Sequence, residues 1–355
     1  MPETENKDLQ DRQQTRERLR REKPVVYDKL LKLDERLQKG EAVAPVIEVA
    51  YSYDCNLSCQ HCFAARFERR ERSLTVDDMR DLAAQAAAMD VYQFILQGGE
   101  PLFWPDFDEV VAALRPKEFY LGLVTNATLL DQGKIQHLRA SGIDKLVISL
   151  DAYDAEQYEK TRNRKGIFEH TVHMLLKARE AGLRVIINAL VTKQNVRSQA
   201  LLDLIAFVKQ QDLILYINFA APIGKWEGRY DLLLDEADAD YIYDLNRRHQ
   251  VIRRDIYPYR GKKVACPALQ KVVYITQYGD VLPCPFIHIS VGNIFEKPLA
   301  RIIGEGRRVK WFQGTSAVCL ACEDLNFIKK KIARIYGRPS PLDMQEIFTH
   351  DEFDV

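Results

Sequence analysis

Six short apolar runs recur through the first two thirds of the chain: VIEVAYSY (46–53), YQFILQ (92–97), YLGLVT (120–125), KLVISL (145–150), RVIINALVT (184–192) and LILYINF (213–219). They are nearly continuously apolar, the pattern of parallel strands covered by helices. Longer segments separate them, such as VDDMRDLAAQAAAM (76–89) and FEHTVHMLLKAREAG (168–182), and their spacing predicts amphipathic helices. Six strand–helix units joined by right-handed crossovers predict an α/β fold, a partial (β/α)6 barrel of parallel strands. Chemistry in such a fold is expected at the carboxyl ends of the strands.

The flanks follow a different rhythm. Residues 1 to 24 are charged, hold almost nothing to bury, and read as a mobile or helical extension. Residues 26–38 predict a helix with Val26, Leu30, Leu31, Leu33 and Leu37 near one face, packed on the main domain. After Ala220 a Gly-rich loop, APIGKWEGR, leads to a helix expected over about 234–250, then to a compact Cys-containing region from Val264 to about Tyr336. The expected division is an N-terminal extension (1–45), the barrel (46–250), a small C-terminal Cys-rich domain (251–340) and an acidic tail (341–355). Its main boundary falls near 250–262.

Charge and composition narrow the functional classes. Lys plus Arg and Asp plus Glu both number 51, so no net charge recruits nucleic acid or an anionic membrane. No apolar run follows the basic start and no stretch of about 18 apolar residues appears later. Neither a secretory signal nor a membrane span is expected, and the cytoplasm is the default location. Seven cysteines in a reducing compartment point to metal or redox chemistry rather than disulfides.

Three of them form C-x-x-x-C-x-x-C: Cys55, Cys59 and Cys62, in YDCNLSCQHCF directly after the first predicted strand. Three thiolates in so short a loop can hold three irons of a 4Fe–4S cube and leave the fourth open to an external ligand; a three-Cys zinc site is the alternative. The loop, with His61 just before its last cysteine, resembles the signature of the radical S-adenosylmethionine (radical SAM) superfamily. The resemblance implies that the open iron binds the amino and carboxylate groups of S-adenosylmethionine. An electron from the cluster then cleaves the sulfonium to a 5′-deoxyadenosyl radical, which abstracts a substrate hydrogen. A flavodoxin- or ferredoxin-type protein is the implied electron donor.

Further segments agree with the resemblance over about residues 46–230. Gly98-Gly99-Glu100-Pro101 ends the second strand and resembles the family's G-G-E-P motif, which holds the methionine amino group. Ser149 and Asp151 end the fourth strand, where the family contacts the ribose or the methionine carboxylate. Arg162 is a candidate carboxylate clamp by its bidentate geometry, with Arg164 competing. Asn126 and Asn188 lie where the cofactor is approached, although either can equally be a satisfied turn or core group.

The other four cysteines are Cys266, Cys284, Cys319 and Cys322. The first two run C-x12-G-x4-C, with KVVYITQ and VLPC as strands around a Y-G-D turn at Gly279. Cys319 and Cys322 are expected to start a helix and complete a four-thiolate cage. Spacing alone leaves zinc and iron–sulfur open. Behind a radical SAM domain, the pattern resembles a SPASM or twitch extension carrying an auxiliary 4Fe–4S cluster, and the absence of any cysteine after Cys322 departs toward the shorter twitch form.

A closed four-thiolate cluster can still take an electron, which favours oxidation of a substrate radical. The resemblance therefore implies an oxidoreductase acting on a sugar, aminocyclitol or nucleoside alcohol. A maturase of a ribosomally made peptide and a sugar-acid decarboxylase are the alternatives. With every cysteine assigned to a cluster, none is left to quench a radical by a thiol. Alcohol oxidation needs a base for the hydroxyl proton; Lys225 and Arg229, in the loop after the sixth strand with Glu227, and His288, just after Cys284, are the candidates, each with a surface or structural role as the alternative.

Overall fold

In the computed structural model, residues 6–41, 43–253, 266–314 and 316–354 are described. Six strands appear where the apolar runs place them: β1 (Val46–Ala50), β2 (Gln93–Gln97), β3 (Tyr120–Thr125), β4 (Ile143–Ser149), β5 (Arg184–Val191) and β6 (Ile214–Phe219). Each pairs in parallel with the next in sequence. The helices that connect consecutive strands cover one face of the sheet, as right-handed crossovers require, leaving the other as the inner wall of an incomplete barrel. Alternation makes the two faces distinct. On β1, Ile47 and Val49 pack into the main core with Met79 and Leu82, whereas Glu48 between them is only half-buried.

The helices between strands are α3 (Val76–Ala88), α4 (Phe107–Ala113), α5 (Gln132–Ala140), α6 (Ala155–Arg162), α7 (Phe168–Glu180) and α8 (Gln199–Gln210), preceded by α1 (Asn6–Glu22) and α2 (Pro24–Gln38) and followed by α9 (Glu236–His249). Most have side-chain N-caps at their first turn, including Thr75, Asp131, Asp154, Ser198 and Asp235, each satisfying an otherwise orphaned amide.

The sheet does not stop at the expected domain boundary, most of which falls on residues 254–265, outside the described residues. β7 (Ile252–Arg253) joins β6, and on the opposite side β8 (Val272–Ile275) adds in parallel to β1 and turns back antiparallel as β9 (Val281–Leu282), giving the order β7-β6-β5-β4-β3-β2-β1-β8-β9. The expected Y-G-D hairpin is present, with Gly279 at φ +80°. The C-terminal segment thus shares one hydrophobic core with the barrel.

Two expectations, the apolar face of residues 26–38 and the helix start at Cys319–Cys322, are corrected here. The charged N-terminus forms two packed helices whose buried face is Leu19, Val26 and the stem of Lys29, while Leu31 and Leu37 are exposed. The Cys319–Cys322 turn precedes its helix; α11 (Leu325–Lys330) begins only after the Asp324 cap and follows α10 (Leu299–Arg307). The acidic tail is folded: β11 (Leu342–Asp343) pairs with β10 (Ile289–Ser290), and Ile347 and Phe348 of and after α12 (Met344–Ile347) are buried. Among the described residues no helix is long and apolar enough to cross a membrane.

The N-terminal helices close the barrel floor. Leu19 and Val26 pack on Tyr120, at the start of β3. Lys23 Nζ donates to the carbonyls of Phe119 (3.2 Å) and Gly142 (2.9 Å) and to Asp144 (2.5 Å), whose carboxylate also accepts from the Leu121 amide (2.8 Å). Removing one partner strands the other's charge in a poorly solvated place. Asp144→Ala is expected to lower stability by about 3 kcal/mol in urea titration, and the double variant Lys23→Met/Asp144→Leu to recover most of that loss.

Candidate functional site

The segment carrying Cys55, Cys59 and Cys62 has no helix or strand of its own before Phe63, so other elements must hold its backbone. From β2, the Gly99 amide donates to Ser52 O and the Glu100 amide to Asp54 O, both at 2.9 Å. A β-carbon on Gly99 would lie 2.0 Å from Asp54 O, an overlap no side chain tolerates. From α6, the Thr161 carbonyl accepts from the Gln60 amide (2.9 Å) and Asn163 donates to Ser58 Oγ (2.9 Å). From the loop after β6, the Lys225 amide donates to Cys62 O (3.0 Å) and its Nζ to the carbonyls of Ser58 (3.1 Å) and Cys59 (2.8 Å). Gln277, in the β8–β9 turn, accepts from the Tyr53 amide (2.7 Å).

Around the thiols stand the polar residues singled out in the sequence. Asn126 Nδ2 lies 4.0 Å from Cys55 Sγ and donates to Asn56 (2.9 Å). Arg162 is buried, with Nη1 3.9 Å from Cys59 Sγ and Nη2 on Asp151 (2.6 Å). Burial works against its charge, but Asp151, then Tyr158 and Cys59, hold the guanidinium above its ordinary range. Asp151 also accepts from the Leu190 amide (3.1 Å). His61 lies 5.7 Å from Trp226, ring to ring; burial, then Arg162, lowers its pKa to about 4, so it is neutral. Ser149 is buried at the end of β4, and Asn188 on β5 accepts from Asn218 Nδ2 (2.8 Å).

Glu100 differs from its expected role. Its carboxylate is 1% exposed and accepts from Thr125 Oγ1 (2.7 Å), the Asn126 amide (2.7 Å) and the Leu102 amide (3.2 Å). It ties the end of β2 to the end of β3 and aims Asn126, and burial raises its pKa to about 7. Pro101 is buried at the start of the following 3-10 turn.

The residues present fit a cluster and an anionic ligand. Three thiols share one loop, and among the described residues Arg162 Nε is a buried donor with no hydrogen-bond partner, which a carboxylate beside Cys59 would satisfy.

The three expected bases are otherwise employed. Lys225 braces the cysteine loop. Arg229 is exposed and paired twice with Asp231 (2.7 and 2.8 Å). His288 is 2% exposed, approaches Pro285 O at 3.2 Å and packs 4.4 Å from the Phe67 ring; burial lowers its pKa to about 4.

The second cysteine set lies beyond an aromatic wall. Phe63, next to Cys62, meets Tyr274, Phe286 and His288 at ring distances of 6.0, 6.0 and 6.3 Å. Burial, then the thiols of Cys266 and Cys319, push the Cys284 pKa well up. Cys322 Sγ donates to Phe219 O at the end of β6 (3.4 Å). The set therefore reaches from the β9 side of the sheet across to β6. Among the described residues no three His, Cys, Asp or Glu side chains are gathered as a single-ion site.

Sequence reasoning missed the inner-face groups Glu48, Gln97, Tyr216 and Asn218, all half-buried. Their signal was a polar residue at an inward, alternate position of an otherwise apolar strand.

Residues 49–205 match the family described as the Radical SAM superfamily, and residues 266–323 the SPASM iron–sulfur cluster-binding domain. Among curated proteins the chain resembles an AdoMet-dependent heme synthase of Methanosarcina barkeri (26% identical, 70% of this chain and 78% of that one). It also resembles the mycofactocin maturase MftC of Mycolicibacterium smegmatis (28%, 74% and 70%). Among solved structures, Streptococcus suis SuiB bound to S-adenosylmethionine shares the fold (TM-score 0.61, 20% identity, 78% of this chain and 71% of that one).

Two outcomes follow from this geometry. Gly99→Ala should keep its far-UV circular dichroism but lose at least half of the iron bound per chain after anaerobic reconstitution. His288 is neutral in the fold and ordinarily titrates near 6.5, so its contribution is intact above that pH and is lost as pH falls toward 4. His288→Phe should flatten this acid limb of the urea-midpoint profile, by up to about 3 kcal/mol.

Proposed function

The chain is a radical S-adenosylmethionine enzyme with an iron–sulfur SPASM domain, and from that premise we propose that it oxidises a small polar substrate, a sugar, aminocyclitol or nucleoside alcohol, passing the substrate's last electron to the auxiliary cluster. Cys55, Cys59 and Cys62 are the ligands of the first 4Fe–4S cluster; Cys266, Cys284, Cys319 and Cys322 hold the second. When bound, S-adenosylmethionine and the first cluster supply the radical that removes a hydrogen atom from carbon. Arg162 holds the cofactor carboxylate, Asn126 and Asp151 order its surroundings, and Gly98–Gly99 set the depth of the cysteine loop. Ser149 and Asn188 offer hydrogen bonds from β4 and β5. Electrons reach the first cluster from a flavodoxin- or ferredoxin-type donor, in a cytoplasm that keeps the thiols reduced.

The observation that carries the substrate class is the polar inner wall. Glu48, Gln97, Ser149, Asn188, Tyr216 and Asn218 stand at inward positions of five strands below the cysteine loop. Such a surface recognises hydroxyl and amino groups and gives an apolar ligand nothing to replace water with. The relative named a maturase supports peptide maturation as a second reading, using the same electron sink.

The test uses holoenzyme with dithionite, S-adenosylmethionine and alcohols deuterated at the carbinol carbon: an aminocyclitol, a hexose and a nucleoside. One of them should place deuterium in 5′-deoxyadenosine and yield the matching ketone; label arriving only from a deuterated peptide would replace this reading with the second. Cys284→Ala/Cys266→Ala should lower iron from about eight to about four per chain and keep label transfer while abolishing ketone.

A further inference from the structure

An electron from outside the chain must reach the first cluster, and the cysteine loop is open to a large partner from few directions. Its backbone lies against Gly99 and Glu100 on the β2 side and against Gln277 at the β8–β9 turn. Toward the second cysteine set, Phe63 and Phe67 pack on Tyr274 and His288. Two stretches of the loop stay exposed: Asp54–Cys55, and Ser58 with Gln60 on either side of a half-buried Cys59. The first carries an acid and lies on the side of Asn126, at the end of β3. The second is held between α6 and the loop after β6. Gln60 donates through its amide to Thr161 O (2.9 Å) and through Nε2 to Lys160 O (3.0 Å). Lys225 Nζ donates to the carbonyls of Ser58 and Cys59.

Positive charge flanks this second stretch. Residues 160–168 hold four cations and no acid. Arg162 is buried beside Cys59, whereas Lys160, Arg164 and Lys165 are exposed. Arg164 and Lys165 lie beyond Asn163, the C-cap of α6, so the helix dipole, which acts within the last turn, gives no reason for them. None of the three exposed side chains forms a salt bridge among the described residues. The acids nearest in sequence are engaged elsewhere. Glu159 accepts from the amides of Ile167 (2.9 Å) and Phe168 (3.1 Å), and Glu227 from the Gly337 amide (2.6 Å).

We propose that Ser58, Gln60, Lys160, Arg164, Lys165 and Lys225 form the docking surface of an acidic one-electron carrier protein. The assignment rests on the reading that a separate carrier supplies the electrons, and it does not depend on the substrate class. The carrier is oxidised by one electron and the first cluster is reduced by one; no bond forms or breaks and no proton moves. Carboxylates on the carrier meet the unpaired cations, which steer the encounter and set its orientation. Contact there places a cluster ligand, Cys59, between the two residues the carrier touches. Asp54, on the other exposed stretch, repels the same partner.

The test compares two reductants on the reconstituted holoenzyme with S-adenosylmethionine, reading 5′-deoxyadenosine formed without substrate: an acidic flavodoxin kept reduced by its reductase, and dithionite. Lys160→Glu/Lys165→Glu should lower the flavodoxin-driven initial rate about ten-fold or more at low salt and hold the dithionite-driven rate within about two-fold. Added salt should slow the wild type with flavodoxin and shrink the difference between the two proteins. Lys32→Glu/Lys39→Glu, the same charge change on the floor helix α2, should leave both rates unaltered. A zero-length carbodiimide should join Lys160 or Lys165 to flavodoxin carboxyl groups, read by peptide mass spectrometry with no turnover required. An unchanged flavodoxin-driven rate in the reversed variant would overturn the surface, as would cross-links confined to another face. If the reversed variant fails to load iron, Lys160→Gln/Lys165→Gln and the cross-link map decide. A wild type that answers to dithionite but not to flavodoxin, and forms no cross-link with it, ends the carrier reading and this surface together. If neither reductant yields 5′-deoxyadenosine, the fault lies with the radical chemistry, and the cross-link map alone decides the surface.

Discussion

The structure depends on how a loop without regular structure is held open at the top of the sheet. Residues 51–62 carry three thiols within eight positions, and iron ligation requires them to face one point rather than the core. Strand ends and neighbouring loops satisfy the backbone instead: Gly99 and Glu100 from β2, Thr161 from α6, Lys225 from beyond β6 and Gln277 from the β8–β9 turn. Each contact is short, and several exist only because a β-carbon is missing. At Gly224 a β-carbon would lie 2.3 Å from Cys62 O, so that loop, like Gly99, approaches the cysteines backbone to backbone. Preorganisation of this kind places the ligands before any ligand arrives.

The same constraint explains why the C-terminal segment continues the barrel sheet. β8 pairs with β1, the strand that feeds the cysteine loop, and its turn supplies Gln277. A separate domain on a linker would leave the spacing of the two cysteine sets free to vary. Hydrogen-bonding to β1 fixes it, and Phe63, Tyr274, Phe286 and His288 fill the space between. Cys322, reaching Phe219 on the far side, makes the second set a bridge across the barrel's open seam.

The sequence revealed the strands because burial on both faces leaves a run of apolar residues that nothing else imitates, and the cysteine loop because its spacing is rare. Two kinds of information were harder to read. The buried face of α2 depends on what lies beneath it, and Phe119 and Glu118 choose Lys29 over Leu31: the ammonium sits 3.6 Å over the Phe119 ring and donates to Glu118 O. The roles of Lys225 and Glu100 also escaped. Local sequence names a charged side chain but not its distant partner; Lys225 braces a loop far back in the chain, and Glu100 is buried beneath a neighbouring strand.

Glu48 illustrates the remaining gap from the opposite direction. An acid inside an apolar strand costs stability unless something offsets it, and Gln97 together with a half-open setting contributes to that offset here. Its place in the alternation turns it toward the inner face of the sheet rather than the helix-covered one. The same holds for Asn188 and Asn218, which satisfy each other across β5 and β6. Burial in the helix-covered core accounts for Ile47 and Val49, and the half-buried inner face for the acid between them.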